Sequence, residues 1–287
     1  MRNRISYRNE FRFLLVVLGS LLTAASTSFD TFDLVEIYPD SVHIRYFGAA
    51  IAHDGDTMLV GAPETVEVNE AAGAVYVYVK DVGGDWVEQA KLLPPGDAWR
   101  FGFGWSVALD GDTALIGARG DDELGSQGGS AFVFVRDGTT WSLQDKLLAS
   151  DGAWGDIFGE AVAISGDVAL VGAPGDDDYF AAAGSVYVYH RNGTAWQEHS
   201  NFHASDPAYA AWFGASLALQ GDTVVVGAWG DEDPAPLAGA AYVFTSDGSG
   251  NWTQQDKLQP DDGRGRDLFG DSVAIDGESV LIGTRQD

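Results

Sequence analysis

Three loops of this chain carry acids directly after a glycine: Asp121-Asp122-Glu123, Asp176-Asp177-Asp178 and Asp231-Glu232-Asp233. Carboxylates so crowded repel one another and raise each other's pKa unless a cation or hydrogen-bond donors offset them. Calcium suits such loops, being a hard ion that takes about six to eight oxygen ligands. The candidate ligands are Asp121 with Glu123, Asp176 with Asp178, and Asp231 with Asp233; Thr65 and Glu67 hold the corresponding places in an earlier stretch. The same loops have a plainer reading. Asp caps its own turn and Gly accepts positive φ, so Gly-Asp-Asp is also an ordinary solvated turn. At the level of sequence both readings stand.

Other chemistry is sparsely provided. The chain has five His, no Cys, no Gly-x-Ser-x-Gly nucleophile turn and no His-Glu-x-x-His helix. Acids are plentiful, yet nothing sets two of them apart as a glycosidase pair. The expectation is a protein that is not an enzyme. Trp99, Trp154 and Trp212 fall in acid-bearing loops, and exposed aromatics beside carboxylates suit a glycan or a basic protein partner.

Charge and composition narrow the partners. The 287 residues carry a formal net charge of -27, a surface on which nucleic acid is a poor partner. A hydrophobic content of 45% with 34 aromatics, made up of 9 Trp, 10 Tyr and 15 Phe, argues against disorder. Residues 1–28 read as a secretory signal: Arg2, Arg4, Arg8 and Arg12 flank or precede an apolar run from Phe13 to Ala25, and small residues follow. That run is too short to span a bilayer as a helix, so the mature part, 29–287, is expected to be secreted or held at the cell surface without membrane insertion.

The acid loops and tryptophans recur on a period. Phe-Gly pairs stand at Phe47, Phe103, Phe158, Phe213 and Phe269, with spacings of 56, 55, 55 and 56. Each is followed by a Gly-acid pair, such as Gly111-Asp112, and then by a second glycine: Gly61, Gly117, Gly172, Gly227 and Gly283. Alternating apolar segments come next, and each of the four full repeats then reaches a tryptophan: Trp86, Trp141, Trp196 or Trp252. Asp110-Gly111 between Trp105–Leu109 and Thr113–Ala118 signals a two-residue hairpin. Asp137-Gly138-Thr139-Thr140 joins a third and a fourth strand. Four short antiparallel strands per unit, marked by Gly and aromatics, are the signature of a β-propeller blade. The four recurring tryptophans are expected to pack between blades. The fold class is therefore all-β, a propeller of about five repeats beginning near residues 47, 103, 158, 213 and 269.

Phe158-Gly159 followed by Val171-Gly172-Ala173-Pro174 resembles the Phe-Gly and Gly-Ala-Pro marks of FG-GAP repeats, which build the propeller of integrin α-subunits. Gly-Ala-Pro is complete only at Gly61–Pro63 and Gly172–Pro174; elsewhere Arg119, Trp229 and Arg285 replace the proline. The family's calcium loop lies between the Phe-Gly and Gly-Ala-Pro strands, and here that loop has shrunk to a tight turn, so its metal residues do not carry over. The family's propellers commonly have seven blades, whereas this chain accounts for fewer than five. Its last repeat ends after two strands, and residues 34–47 resemble a fourth strand, which leads to the expectation of an incomplete or weakly closed ring.

The resemblance implies a non-enzymatic module that binds an extracellular protein or glycan through its acidic loop face; the expectation that a cation assists comes from the crowded acid loops alone. The alternative is a carbohydrate-acting enzyme or the substrate-binding module of a larger one. A carboxylate of raised pKa in a deep central pocket would favour the alternative; a broad acidic surface would favour binding.

Overall fold

The computed structural model describes residues 15–16, 34–35, 44–66, 72–96, 102–260 and 263–285. The chain divides into two units, Met1–Val42 and His43–Asp287. In the first, β1 (Leu15–Val16) pairs antiparallel with β2 (Leu34–Val35). Residues 36–43, most of the stretch expected to offer a fourth strand for the last blade, lie outside the described residues. That last sheet has no third strand among the described residues onto which a fourth could dock. Most of the expected signal segment lies outside the described residues.

The second unit is built from repeated antiparallel sheets. The first comprises β3 (Ile51–Asp54), β4 (Thr57–Ala62), β5 (Ala74–Lys80) and β6 (Trp86–Leu92). The next holds β7 (Phe103–Asp110), β8 (Thr113–Ala118), β9 (Ser130–Asp137) and β10 (Thr140–Leu147). The third holds β11 (Ala161–Ser165), β12 (Val168–Ala173), β13 (Ser185–Asn192) and β14 (Ala195–Phe202). The fourth holds β15 (Ser216–Gln220), β16 (Thr223–Ala228), β17 (Ala240–Ser246) and β18 (Trp252–Leu258). A two-stranded sheet, β19 (Ser272–Asp276) with β20 (Ser279–Gly283), comes last. No helix occurs among the described residues. Within each full sheet the strands neighbour one another in chain order, and the first strands β3, β7, β11, β15 and β19 lie side by side across sheets. This is the blade arrangement of a propeller, with the fifth blade represented by two strands.

The Phe-Gly and Gly-Ala marks are the contact between blades. In each full blade the repeat phenylalanine meets an aromatic ring of the third strand edge-on: Phe47 with Tyr76, Phe103 with Phe132, Phe158 with Tyr187 and Phe213 with Tyr242, all at 5.4 Å between centroids. Phe269, with no third strand beside it among the described residues, is only half-buried. The backbone N–H of Phe158 donates to the Gly128 carbonyl of the preceding blade at 3.0 Å, and Phe213 and Phe269 bond likewise to Ala183 and Ala238.

Glycine is required on both sides of this junction. Gly214 sits at φ 92°, a region L side chains avoid, and its carbonyl approaches the second strand of the third blade. A Cβ on Gly172 would stand 2.0 Å from that oxygen, and the same clash recurs for Gly61, Gly117 and Gly227 with the following blade. The glycine period read from sequence is therefore the period of backbone approach between blades.

Apolar side chains fill the spaces between blades. One cluster joins Leu115, Val133 and Leu147 to Phe158, Val171 and Trp196; the next joins Leu170, Val188 and Phe202 to Phe213, Val226 and Tyr242. Three of the four recurring tryptophans, Trp141, Trp196 and Trp252, pack between blades as expected, whereas Trp86 meets His53 and Lys80 of its own blade. Trp141 donates its Nε1–H to Gln89 at 3.0 Å and Trp196 to Gln144 at 2.9 Å, each reaching the preceding blade.

Candidate functional site

Strand direction assigns the loops to faces. The first strand of each blade leaves the face bearing the inter-blade loops, the second returns to it, and the second-to-third loops lie there too. The acid-bearing loops and the tryptophan-bearing loops therefore share one face.

In each acid loop the first aspartate is buried and the rest are exposed. Asp121 is 1% exposed; its Oδ1 accepts from the Glu123 N–H at 3.0 Å and its Oδ2 from Ser130 Oγ at 2.6 Å. The Lys146 ammonium stands 2.6 Å from Asp121 Oδ2 and 2.5 Å from Glu123 Oε2. Burial disfavours that ammonium, but its bonds to Asp121 and Glu123 outweigh burial and hold the Lys146 pKa above the ordinary lysine value. The fourth blade repeats the arrangement. Asp231 accepts from the Asp233 N–H at 2.9 Å and the Tyr242 hydroxyl at 2.8 Å, while Lys257 Nζ lies 3.1 Å from Asp231 and 2.8 Å from Asp206.

The third blade differs. Asn201 stands where Lys146 and Lys257 stand in its neighbours, and no ion pair to Asp176 occurs among the described residues. Asp176 accepts from the Asp178 N–H at 3.0 Å and from the Tyr187 hydroxyl at 2.8 Å, and that hydroxyl is also 2.8 Å from Asp151. Asp156 lies in the same cluster, 5% exposed, with its Oδ2 accepting from the Ala153 N–H at 2.6 Å. Burial, reinforced by the charges of Asp176, Asp177 and Asp151 against the Ala153 bond, pushes Asp156 up to about 6. The pKa of Asp178 is raised first by the charge of Asp176, then by burial. Thr65, the counterpart in the first blade, is fully buried and its hydroxyl has no hydrogen-bond partner among the described residues; Glu67 lies outside them.

The six expected metal ligands thus fall into three Asx-type turns, and in two of them a lysine ammonium sits between the carboxylates. Among the described residues no group of three or more His, Asp or Glu side chains is arranged to hold a metal ion. Of the expected partner-binding tryptophans, Trp154 is 76% exposed, Trp212 stacks on Trp229 at 5.4 Å and 14°, and Trp99 lies outside the described residues. Tyr179 and Phe180, both 53% exposed, and Tyr209 at 70% join Trp154 on this face.

At the centre of the same face the repeats converge on one cavity of about 340 Å³. The residue two places after each repeat phenylalanine lines it: Ala49, Trp105, Glu160, Ala215 and Asp271, one from each of the five repeats. So do Trp229 and Arg285, two of the residues that replace the proline of Gly-Ala-Pro, and Tyr46. The third replacement, Arg119, lies over the Trp105 ring at 3.1 Å and donates from Nη1 to both oxygens of Glu160 at 3.0 and 3.2 Å. Arg285 pairs with Asp271 at 2.9 Å. In the sequence the three missing prolines read only as departures from a motif, yet two of the replacements line the cavity and the third holds Glu160 at its wall.

The repeat marks that make these contacts decide the family. The FG-GAP repeat pattern matches residues 39–78, 86–134, 141–189, 196–244 and 252–287. The chain belongs to the FG-GAP repeat family. From the second match onward, each matched segment of this FG-GAP protein opens on the fourth strand of one blade and runs into the next, so the unit of sequence straddles the junction where Phe-Gly and Gly-Ala meet. FG-GAP propellers are often binding domains and are generally non-catalytic. No curated protein matches the chain.

Proposed function

We propose that this FG-GAP propeller is a secreted or cell-surface binding module that engages a protein or glycan partner on its acidic loop face and performs no chemistry on it. One observation carries the reading: Trp154, Tyr179, Phe180 and Tyr209 stand largely open to solvent on the face that also gathers the carboxylates of the acid loops. Large rigid aromatics so exposed supply contact area at low entropic cost, and surrounding charge steers a complementary partner. The catalytic alternative finds less support. The carboxylate that burial pushes up, Asp156, is not among the residues lining the central cavity, and the two that line it are each held by an arginine. Any calcium-dependent stabilisation belongs to the third blade, whose buried aspartate has no lysine beside it among the described residues.

The test is binding to arrays of glycans and extracellular proteins by the wild type, by a rim variant (Trp154→Ala, Tyr179→Ala, Tyr209→Ala) and by an opposite-face variant (Val82→Ser, Asp137→Asn). Capture is expected to survive in the opposite-face variant and to be lost in the rim variant. The reverse pattern, or release of hydrolysis products from an arrayed glycan, would overturn the proposal.

A further inference from the structure

We propose that the central cavity, with Trp105, Trp229, Arg119 and Glu160 around it, is a binding site for a neutral saccharide; the inference rests on the reading of this face as a binding surface. Its first support is where the repeat breaks down. The repeat phenylalanines and glycines are invariant because blade packing demands them, whereas the two positions that reach the cavity vary freely. Ala49, Trp105, Glu160, Ala215 and Asp271 occupy one and all line the cavity; Pro63, Arg119, Pro174, Trp229 and Arg285 occupy the other, of which Trp229 and Arg285 line it while Arg119 holds the lining Glu160. Side chains that differ from repeat to repeat have been drawn around one half-open cavity.

Charge selects the ligand class. Each guanidinium at the cavity is matched by a carboxylate, Arg119 with Glu160 and Arg285 with Asp271, so the lining is electrically balanced. An anion would have to displace those carboxylates and approach a protein of net charge -27. A cation would have to sit against two guanidiniums. A neutral polyol does neither, and it can accept from the arginines and donate to the carboxylates while both ion pairs persist.

The aromatic surfaces complete the match. Trp229 is fixed by its stack on Trp212, and Trp105 is fixed beneath Arg119, so neither ring must be ordered when a ligand arrives. The electron-rich face of an indole attracts the weakly positive C–H face of a pyranose, and the sugar's hydroxyls remain free for the polar rim. A volume of about 340 Å³ lies at the lower end of the range for small-molecule sites, with room for a mono- or disaccharide.

The experiment is titration calorimetry and tryptophan fluorescence on the full mature chain. The probes are glucose, galactose, N-acetylglucosamine, cellobiose and lactose up to about 50 mM, with glucuronate and free arginine as charged comparators. The expected result is saturable binding of at least one neutral sugar, weakened about tenfold or more by Trp229→Ala and by Arg119→Ala, and largely retained by Trp229→Phe. Three results would overturn it: no neutral probe binds, glucuronate or arginine binds in preference, or sugar binding is indifferent to Trp229→Ala and Arg119→Ala. If no sugar binds while the rim variant still abolishes partner capture, the saccharide site falls and the binding face stands. If sugar binds in the cavity while the rim variant captures partners normally, the rim reading falls alone.

Discussion

Gly227 and Trp229, two residues apart at the end of one strand, follow different rules. Gly227 has a glycine counterpart in every repeat, and a Cβ there would meet the Gly270 carbonyl at 2.0 Å. Trp229 has Pro63, Arg119, Pro174 and Arg285 as counterparts and lines the central cavity. From the end of β16 into the turn that follows it, the chain passes from a place where the next blade's backbone dictates the residue to one where the residue type differs from repeat to repeat. Uniformity across repeats therefore marks packing, and divergence at a converging position marks the site.

The glycine side of that comparison predicts the largest effects. Gly172→Ala and Gly227→Ala each force apart two backbones at a blade junction and are expected to cost about 3 kcal/mol or more. Gly283, in the fifth sheet, would meet only the Ser272 hydroxyl at 2.3 Å, a side chain that can rotate away. Gly283→Ala should therefore cost less than about 1 kcal/mol in urea unfolding. Equal losses at all three positions would break the junction argument. The apolar faces should separate in the same way. Leu170 is fully buried and its counterpart Leu281 is 74% exposed, so Leu170→Ala should cost about 2–5 kcal/mol and Leu281→Ala within about 0.5.

A smaller effect distinguishes the blades whose buried aspartate has a lysine from the one whose aspartate has none. Lys257→Met leaves Asp231 with the environment of Asp176 and should cost about 2 kcal/mol at neutral pH, less than a fully buried pair because the ammonium is partly exposed. Asn201→Lys supplies the third blade with the missing ammonium and should stabilise by up to about 1 kcal/mol.

Asp156 gives the third blade a pH dependence of its own. Its folded pKa, about 6, lies above the unfolded value, so ionisation is disfavoured in the folded state. The folded chain is then favoured below pH 4, loses stability as pH rises from about 4 to 6, and carries the full penalty above that window. Asp156→Asn keeps an oxygen for the Ala153 N–H and removes the charge. It should raise stability at pH 8 by about 1–3 kcal/mol and leave it unchanged at pH 3.5, as read by melts across that range. A uniform shift at both pH values would assign the effect to packing instead.

The fold was legible because its demands are local and repeated. Asp-Gly turns, alternating apolar runs and the spacing of Phe47, Phe103, Phe158 and Phe213 specify hairpins and blades without knowledge of distant contacts. The acid loops were legible as loops, and Lys146 and Lys257 as a recurring mark five residues after a tryptophan, but the pairing of lysine with acid was not. Lys146 is 25 residues from Asp121 and reaches it only because β9 pairs with β10 in a register carrying a bulge between Leu143 and Asp145. The central cavity was least legible, since Trp105, Arg119, Glu160, Trp229 and Arg285 share no spacing signature and meet only when first strands gather at one centre.

On this reading the position after Gly-Ala serves the ligand and the glycine before it serves the fold. Gly227→Ala and Trp229→Ala, measured side by side for melting temperature and for titration with the neutral sugars, test it most directly. Trp229→Ala is expected to melt within a few degrees of the wild type, a loss of about 1 kcal/mol, and to bind sugar at least about tenfold more weakly. Gly227→Ala should melt far lower and, where it remains folded, bind normally. A Trp229→Ala protein destabilised as much as Gly227→Ala, or one that binds sugar as the wild type does, would contradict it.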